Sequence, residues 1–234
     1  MSSYIDHLTQ AYSTATFRRK LEYLSYNILP LMKSGPNQEV LEIGPGLGEF
    51  TQLCSDKKIH AIDLIDNDTG ILKFLRKKYS IRNAFCTSNI TNIDDKLKKY
   101  DLIIGVQVFE HIPPTQYTNV MNILWKHLKV GGQLIFVVPN GNNPLGLVER
   151  YGDLQHFNSF TTRSLRDLAC MLPISSYAIE IRGYHIPLTN ALNIFRGILQ
   201  KILHAFLLCI LIVNGGTYFT VLTPNITCVL TKKR

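Results

Sequence analysis

Short apolar runs alternate along the chain with segments whose apolar residues recur at helical spacing. Five of the runs predict buried strands of a parallel sheet: residues 40–43, 59–63, 82–86, 100–106 and 133–138. Two further strands are expected at 177–182 and 225–231. Helical spacing predicts helices at 5–33, 70–79, 117–128 and 162–171. Alternation of this kind is typical of an α/β fold.

The C-terminal segment 188–216 has a different pattern. Its apolar residues form a stripe that predicts an amphipathic helix at 192–213, with cations off the stripe. The stripe consists of Leu192, Phe195, Leu199, Ile202, Leu203, Phe206 and Ile210. The uninterrupted apolar run, 205–213, is nine residues long, whereas a bilayer span needs about 20. The sequence therefore predicts an interfacial helix and not a transmembrane one, with packing on the core or in a homodimer as the alternatives.

The composition is that of a folded protein in a reducing compartment. Of the 234 residues, 46% are hydrophobic and 18% charged, which suits one domain with a sizeable core. The five cysteines form no C-x-x-C pair, which argues against a disulfide framework and against a zinc site. The first residues lack the basic and apolar regions of a signal peptide, so a cytoplasmic location is expected.

The net charge of +8 is concentrated towards the C-terminus, where residues 151–234 hold eight Lys and Arg against three Asp and Glu. This imbalance indicates an anionic partner, either a phosphorylated substrate or a membrane surface to which the protein binds peripherally. Nucleic acid is not expected, because the basic residues are not interleaved with aromatic residues in a recognisable binding module.

The candidate chemistry begins at a glycine-rich turn. The apolar run at 40–43 is followed by Gly44, Gly46 and Gly48, and a helical pattern starts near Glu49. Glycine permits positive φ and close approach of the backbone to a ligand, so strand, glycine turn and helix predict a nucleotide-type site. Asp63 ends the predicted second strand about twenty residues further on, where an acidic residue can hold ribose hydroxyls.

The segment E-I-G-P-G-L-G at residues 42–48 resembles motif I of the Rossmann-like S-adenosylmethionine (SAM) methyltransferases. The segments D-L-I-I-G-V-Q-V-F-E-H at 101–111 and L-K-V-G-G-Q-L-I-F-V-V-P-N at 128–140 are similar to further segments of that family. The resemblance covers residues 38–144. It implies a doubly wound, mostly parallel sheet of seven strands with an antiparallel last strand, and SAM as the cofactor.

The resemblance divides the chain into a helical cap (1–36), a cofactor-binding core (37–144) and substrate-side elements (145–234). It also implies cofactor contacts by nine residues: Glu42, Gly44, Gly46, Gly48, Asp63, Leu64, Asn89, Ile90 and Gln107. Asn89 stands where the family usually has an aspartate beside the adenine amino group. Tyr12, Arg18 and Arg19 of the cap either close over the cofactor or form a solvated helical face.

The segment Y-G-D-L-Q-H-F-N-S-F-T at 151–161 is similar to one in methyltransferases of surface-polysaccharide (O-antigen or capsule) assembly. It suggests Tyr151, Asp153 and Phe157 for substrate binding and His156 as general base, with a structural loop histidine as the alternative. His111 is the second catalytic candidate, although it also suits a structural role. No metal is expected, because helix capping accounts for the acidic residues at 66 and 68.

Together these features predict methyl transfer from SAM to an oxygen of a small-molecule or glycan acceptor. A sugar or sugar-phosphate group, nucleotide-linked or lipid-linked, is the favoured class. Two alternatives stay open: a lipophilic acceptor such as a quinone precursor, and a non-catalytic SAM-binding or membrane-docking protein.

Overall fold

The computed structural model describes residues 13–32, 35, 37–173, 176–216, 219 and 221–234. Within these residues seven strands form one sheet in the order β3-β2-β1-β4-β5-β7-β6. The strands are β1 (Glu39–Ile43), β2 (Ala61–Asp66), β3 (Asn83–Cys86), β4 (Tyr100–Val106), β5 (Leu128–Pro139), β6 (Tyr177–Gly183) and β7 (Asn225–Lys232).

The strands β1 to β5 pair in parallel, and β7 runs antiparallel to both β5 and β6. This arrangement confirms the predicted fold class. The strand order reverses between β1 and β4, which are neighbours in the sheet. Ligands of open α/β sheets bind at such a switch point, outside the carboxyl ends of the strands.

Helices cover both faces of the sheet. They are α1 (Thr14–Asn27), α2 (Glu49–Asp56), α3 (Thr69–Lys78), α4 (Tyr117–His127), α5 (Leu147–Tyr151), α6 (Thr162–Ala169) and α7 (Ala191–Val213). One apolar cluster joins the sheet to α1, α2 and α3, and a second joins it to α4 and α6. The part of the predicted N-terminal helix that precedes Ser13 lies outside the described residues.

The strand β2 corrects the sequence prediction, because it ends at Asp66 and not at Asp63. Parallel pairing with β1 sets the register, with Glu39 opposite Ala61 and Ile43 opposite Ile65. Asp63 is therefore in mid-strand, where its carboxylate is completely buried and paired with Arg82. Leu64 is also fully buried in the core, so the predicted contacts of both residues with a cofactor are wrong.

The helix α7 is 23 residues long and, by length and composition alone, is able to cross a membrane. The expectation of an interfacial helix, and not a transmembrane one, stays a prediction. All seven residues of the predicted stripe are exposed, so they do not pack on the part of the chain that the structure describes. Packing of this stripe on the core is therefore not observed among the described residues.

Candidate active site

A cavity of about 430 Å³ opens at the carboxyl ends of the central strands. Its floor is the glycine turn after β1 and the ends of β4 and β5, and its walls come from α1 and α7. Four of the predicted cofactor residues line it: Glu42, Gly44, Gly46 and Gln107. The volume falls within the range of small-molecule sites.

The glycine turn fits closely around this cavity. Gly44 and Gly46 have φ of +63° and +54°, a conformation that side chains with a Cβ disfavour. A Cβ on Gly44 would lie 2.5 Å from Val108 Cγ2, in the loop after β4. Gly48 does not line the cavity. It is the N-cap of α2 with φ +88°, and a Cβ there would meet the Leu75 side chain at 2.5 Å.

Gln107 is held at the end of β4 in a conformation rare for residues other than glycine. Its φ is +55°, its backbone N–H donates to the Val137 carbonyl at 2.9 Å, and its Nε2 donates to Asn225 Oδ1 at 3.0 Å. Strained residues of this kind collect at ligand sites, where the surrounding structure holds them in place. Gln107 and Asn225 both line the cavity.

Charged groups of both signs face the cavity. Glu42 and Glu49 are buried at its floor, whereas Arg19, Lys20 and Arg196 approach from α1 and α7. Burial raises the pKa of Glu42 to about 8, against a smaller opposing effect of the hydrogen bond from Thr51 Oγ1. The cavity thus offers acidic groups to a cationic ligand and cations to an anionic one.

The replacement Glu42→Gln is expected to flatten the pH dependence of stability. Because the folded-state pKa of Glu42 is raised, the native state binds more protons than the unfolded state between about pH 4.5 and 8. The free energy of unfolding therefore falls with rising pH across this window, by up to about 1.4 kcal/mol per pH unit for one group. Urea unfolding of both proteins at pH 5, 6, 7 and 8 checks this. An equal slope in the variant would contradict it.

The other predicted cofactor residues do not line the cavity, and neither does Asp66. Asp66 stands at the carboxyl end of β2, next to Gly44, whose N–H donates to Ile65 O at 2.9 Å. It thus takes the position expected for Asp63. Asn89 is exposed and caps a 3-10 helix, with its Oδ1 accepting from Thr91 N at 3.0 Å. Ile90 is buried in the core cluster.

The two predicted catalytic histidines lie together but do not line the cavity. The rings of His111 and His156 meet edge to face, with centroids 4.6 Å apart. His156 Nδ1 is 2.8 Å from the Glu149 carbonyl, and burial lowers the pKa of His111. Glu110, beside this pair, is completely buried, and burial raises its pKa to about 8.

The predicted substrate residues surround this histidine pair. Tyr151 and Phe157 are exposed, and Asp153 accepts a hydrogen bond from Gln155 N through Oδ1 at 2.8 Å. Arg150 donates to the carbonyls of His156 and Phe157, at 2.6 Å each. The loop is therefore fixed by its own hydrogen bonds, and its exposed aromatic side chains are accessible to an acceptor.

Sequence reasoning missed the residues that distant segments contribute to the cavity. Three such residues line it: Tyr184, which follows β6, Arg196 of α7 and Asn225 of β7. In the sequence, Arg196 is one of the cations outside the apolar stripe of the predicted helix at 192–213. The pattern around Tyr184 does not indicate a ligand site. Arg19 does line the cavity as expected of a closing residue, whereas Tyr12 is outside the described residues.

Comparisons with known proteins agree with this geometry. A model of the methyltransferase domain matches residues 10–170. An uncharacterized protein of Methanocaldococcus jannaschii is 27% identical over 173 residues, which are 73% of this chain and 66% of that protein. The chain thus spans slightly under two thirds of the length of this relative.

Solved structures resemble the chain over nearly all of its length. The crystal structure of a SAM-dependent methyltransferase from Archaeoglobus fulgidus has a TM-score of 0.65 and 20% identity, covering 92% of this chain and 96% of the other. The plantazolicin methyltransferase BpumL in complex with SAH has a TM-score of 0.60 and 19% identity, covering 98% and 90%. At these identities the similarity shows a shared fold.

Proposed function

The chain belongs to the methyltransferase domain family, and on this premise we propose that it uses SAM as its cofactor and methylates an oxygen of an anionic acceptor, such as a sugar or sugar phosphate. The observation that carries the proposal is the set of cations at the cavity. Arg19, Lys20 and Arg196 reach it from two helices, opposite the glycine turn. Guanidinium groups suit carboxylates and phosphates because they donate hydrogen bonds in pairs.

The residues of the cavity fit SAM by charge and by shape. The turn at Gly44 and Gly46 leaves room for a ligand against the backbone, and Glu42 and Glu49 suit a cationic ligand. When bound, SAM supplies a methyl group that its sulfonium already activates. The chain then has to align the acceptor oxygen in line with that methyl group and to exclude water.

A sugar hydroxyl also needs to lose its proton as the new C–O bond forms. His156 is the proposed base. Its Nδ1 must donate to the Glu149 carbonyl, because a carbonyl oxygen only accepts, so Nε2 keeps the lone pair that takes a proton. A positioned base of this kind contributes roughly 10²–10⁴-fold to a rate.

The acceptor class is tested by SAH formation with a panel of nucleotide sugars, sugar phosphates and catechols. We expect turnover with phosphorylated sugars, and a rise of at least tenfold in their KM in Arg196→Ala, because one of the cations is lost. The exposed Arg163, in α6, provides the control replacement Arg163→Ala. Turnover with catechols alone would support the lipophilic alternative and contradict the proposal.

We further propose that α7 places the enzyme on an anionic membrane, where a lipid-linked acceptor is accessible. The helix exposes apolar residues along its length together with the cations Arg196 and Lys201. Large apolar surfaces of this kind are rare on soluble monomers. Apolar burial combined with attraction to anionic headgroups is the usual basis of interfacial binding.

Flotation with liposomes that contain phosphatidylglycerol tests this surface. The replacements Ile202→Asp and Phe206→Asp should abolish binding, since a carboxylate enters the apolar face at each position. The control is Val130→Asp, in strand β5. Val130 is 59% exposed, which is close to the exposure of Ile202 (61%) and Phe206 (62%). Binding that survives the α7 replacements would contradict the proposal. If the chain instead forms a dimer without lipid, and the α7 replacements dissociate that dimer, the helix serves self-association and not membrane binding.

A further inference from the structure

Three side chains of the metal-binding type meet where the segment after β4 contacts the loop between α5 and α6. Glu110 and His111 belong to the loop after β4, three and four residues beyond Gln107, and His156 comes from the loop between α5 and α6. One potential ligand atom from each of the three lies within 4.8 Å of the others. Ligand atoms lie about 2.0–2.2 Å from a bound metal. The three side chains therefore need to move only slightly towards one another to coordinate one ion.

Glu110 is the unexplained member of this cluster. Its side chain has no exposed surface, and neither Oε1 nor Oε2 forms a hydrogen bond with any residue in the described parts of the chain. A buried ionised carboxylate without a partner is strongly destabilising, so such groups are paired, protonated or bound to a cation.

Each histidine has one ring nitrogen for which no hydrogen bond to the described residues is seen. His156 Nδ1 donates to the Glu149 carbonyl, which leaves the lone pair on Nε2. His111 Nδ1 is buried and has no partner among the residues that the structure describes. Backbone carbonyls such as that of Glu149 commonly orient metal-binding histidines.

Hydrogen bonds hold the two loops in register. Phe157 N donates to Glu110 O at 2.8 Å, and Arg150 fixes the carbonyls of His156 and Phe157. Asp153 adds a negative charge that acts on both Glu110 and His111. The cluster is thus supported before any ligand arrives, and its surroundings favour a cation.

We propose that Glu110, His111 and His156 bind one divalent cation of the transition-metal type, with Zn²⁺, Mn²⁺ and Fe²⁺ as the matching ions. Two imidazoles and one carboxylate are a donor set that these metals accept. Three protein ligands leave coordination positions open for an oxygen of another molecule. The sequence predicted no metal, because helix capping accounts for the acidic residues at 66 and 68; the three residues of this cluster come from two distant segments.

The role of this cation rests on the proposed methyl transfer. An acceptor hydroxyl at an open position becomes more acidic, and its proton leaves to water. The oxygen lone pair then forms the C–O bond as the S–CH₃ bond of SAM breaks, with the bonding pair remaining on sulfur and giving SAH. With the ion bound, the Nε2 lone pair of His156 is used for the metal, so the proton that His156 accepts in the metal-free chain leaves to water instead.

Metal binding can be measured without any acceptor. The full chain, free of a purification tag and treated with EDTA, is titrated calorimetrically with Zn²⁺, Mn²⁺ and Co²⁺, and the visible spectrum of bound Co²⁺ is recorded. We expect one ion per chain and a rise in Tm with metal. Glu110→Gln, which keeps the shape of the carboxyl group, and His156→Ala should each weaken binding at least tenfold. Circular dichroism confirms that each variant is folded.

The exposed histidine His60 supplies the matched control, because His60→Ala removes an imidazole away from the cluster. Its metal affinity should equal that of the unchanged chain. Absence of binding, or binding that survives both Glu110→Gln and His156→Ala, would overturn the proposal. Either result leaves the proposed methyl transfer intact, because SAM binding is measured separately.

Discussion

Gly44→Ala is expected to weaken SAM binding at least tenfold and to lower the free energy of unfolding by about 2–4 kcal/mol. Alanine at φ +63° is strained, and its Cβ would lie 2.5 Å from Val108 Cγ2. Valine is branched at Cβ and has little rotational freedom, so the backbone of the loop after β4 has to move. That loop carries Gln107, which lines the cavity. Calorimetric titration with SAM and urea unfolding measure the two effects.

Gly215→Ala provides the matched control. Gly215 follows α7, has φ +76°, and has no heavy atom of the described residues within 4 Å of an added Cβ. This replacement therefore introduces a similar backbone strain, of about 1–2 kcal/mol, without a steric clash and away from the cavity. SAM affinity in Gly215→Ala should be unchanged. Equal affinities in the two variants would mean that the turn at Gly44 does not contact the cofactor.

Replacing the two acidic residues of β2, Asp63 and Asp66, should have different effects on stability and on SAM binding. Asp63→Asn should lower the free energy of unfolding by about 3 kcal/mol or more, because it breaks a buried ion pair. Both carboxylate oxygens of Asp63 accept from the Arg82 guanidinium, at 2.8 Å each, and Oδ2 also accepts from Tyr100 OH at 2.8 Å. SAM affinity should change less than threefold in the fraction that remains folded.

Asp66→Asn should produce the opposite result. Its Oδ1 accepts from Asp68 N at 2.8 Å, a bond that an asparagine can keep, so stability should change by less than about 1 kcal/mol. SAM affinity should fall at least tenfold, because a carboxylate accepts from both ribose hydroxyls and an amide presents only one acceptor atom. A loss of SAM binding in Asp63→Asn, with none in Asp66→Asn, would restore the original assignment.

The sequence predicted those elements whose signals are local. Strand β4 was predicted at 100–106 and spans Tyr100–Val106, because a largely apolar run in a central strand has clear ends. The cap of α3 was equally clear, since Asp68 accepts from Gly70 N and Ile71 N. The alternate glycines at 44, 46 and 48 predicted a turn with positive φ, which the structure contains.

The errors arose where a distant residue decides the outcome. A charged side chain normally indicates the end of a buried strand. Asp63 is an exception, because its carboxylate pairs with Arg82 and accepts a hydrogen bond from Tyr100 OH, and these residues lie 19 and 37 positions further along the chain. The wall that α7 contributes through Arg196 also depends on tertiary contacts. The apolar stripe of α7 was visible in the sequence, but whether the core covers it was not.

The SAM site is tested most directly by calorimetric titration of the purified chain with SAM and with SAH, using NAD as the control. We expect micromolar binding of SAM and SAH, one per chain, and no binding of NAD. Absence of SAM binding, or binding of NAD with equal affinity, would contradict the assignment of the cavity between the glycine turn, α1 and α7 as a SAM site.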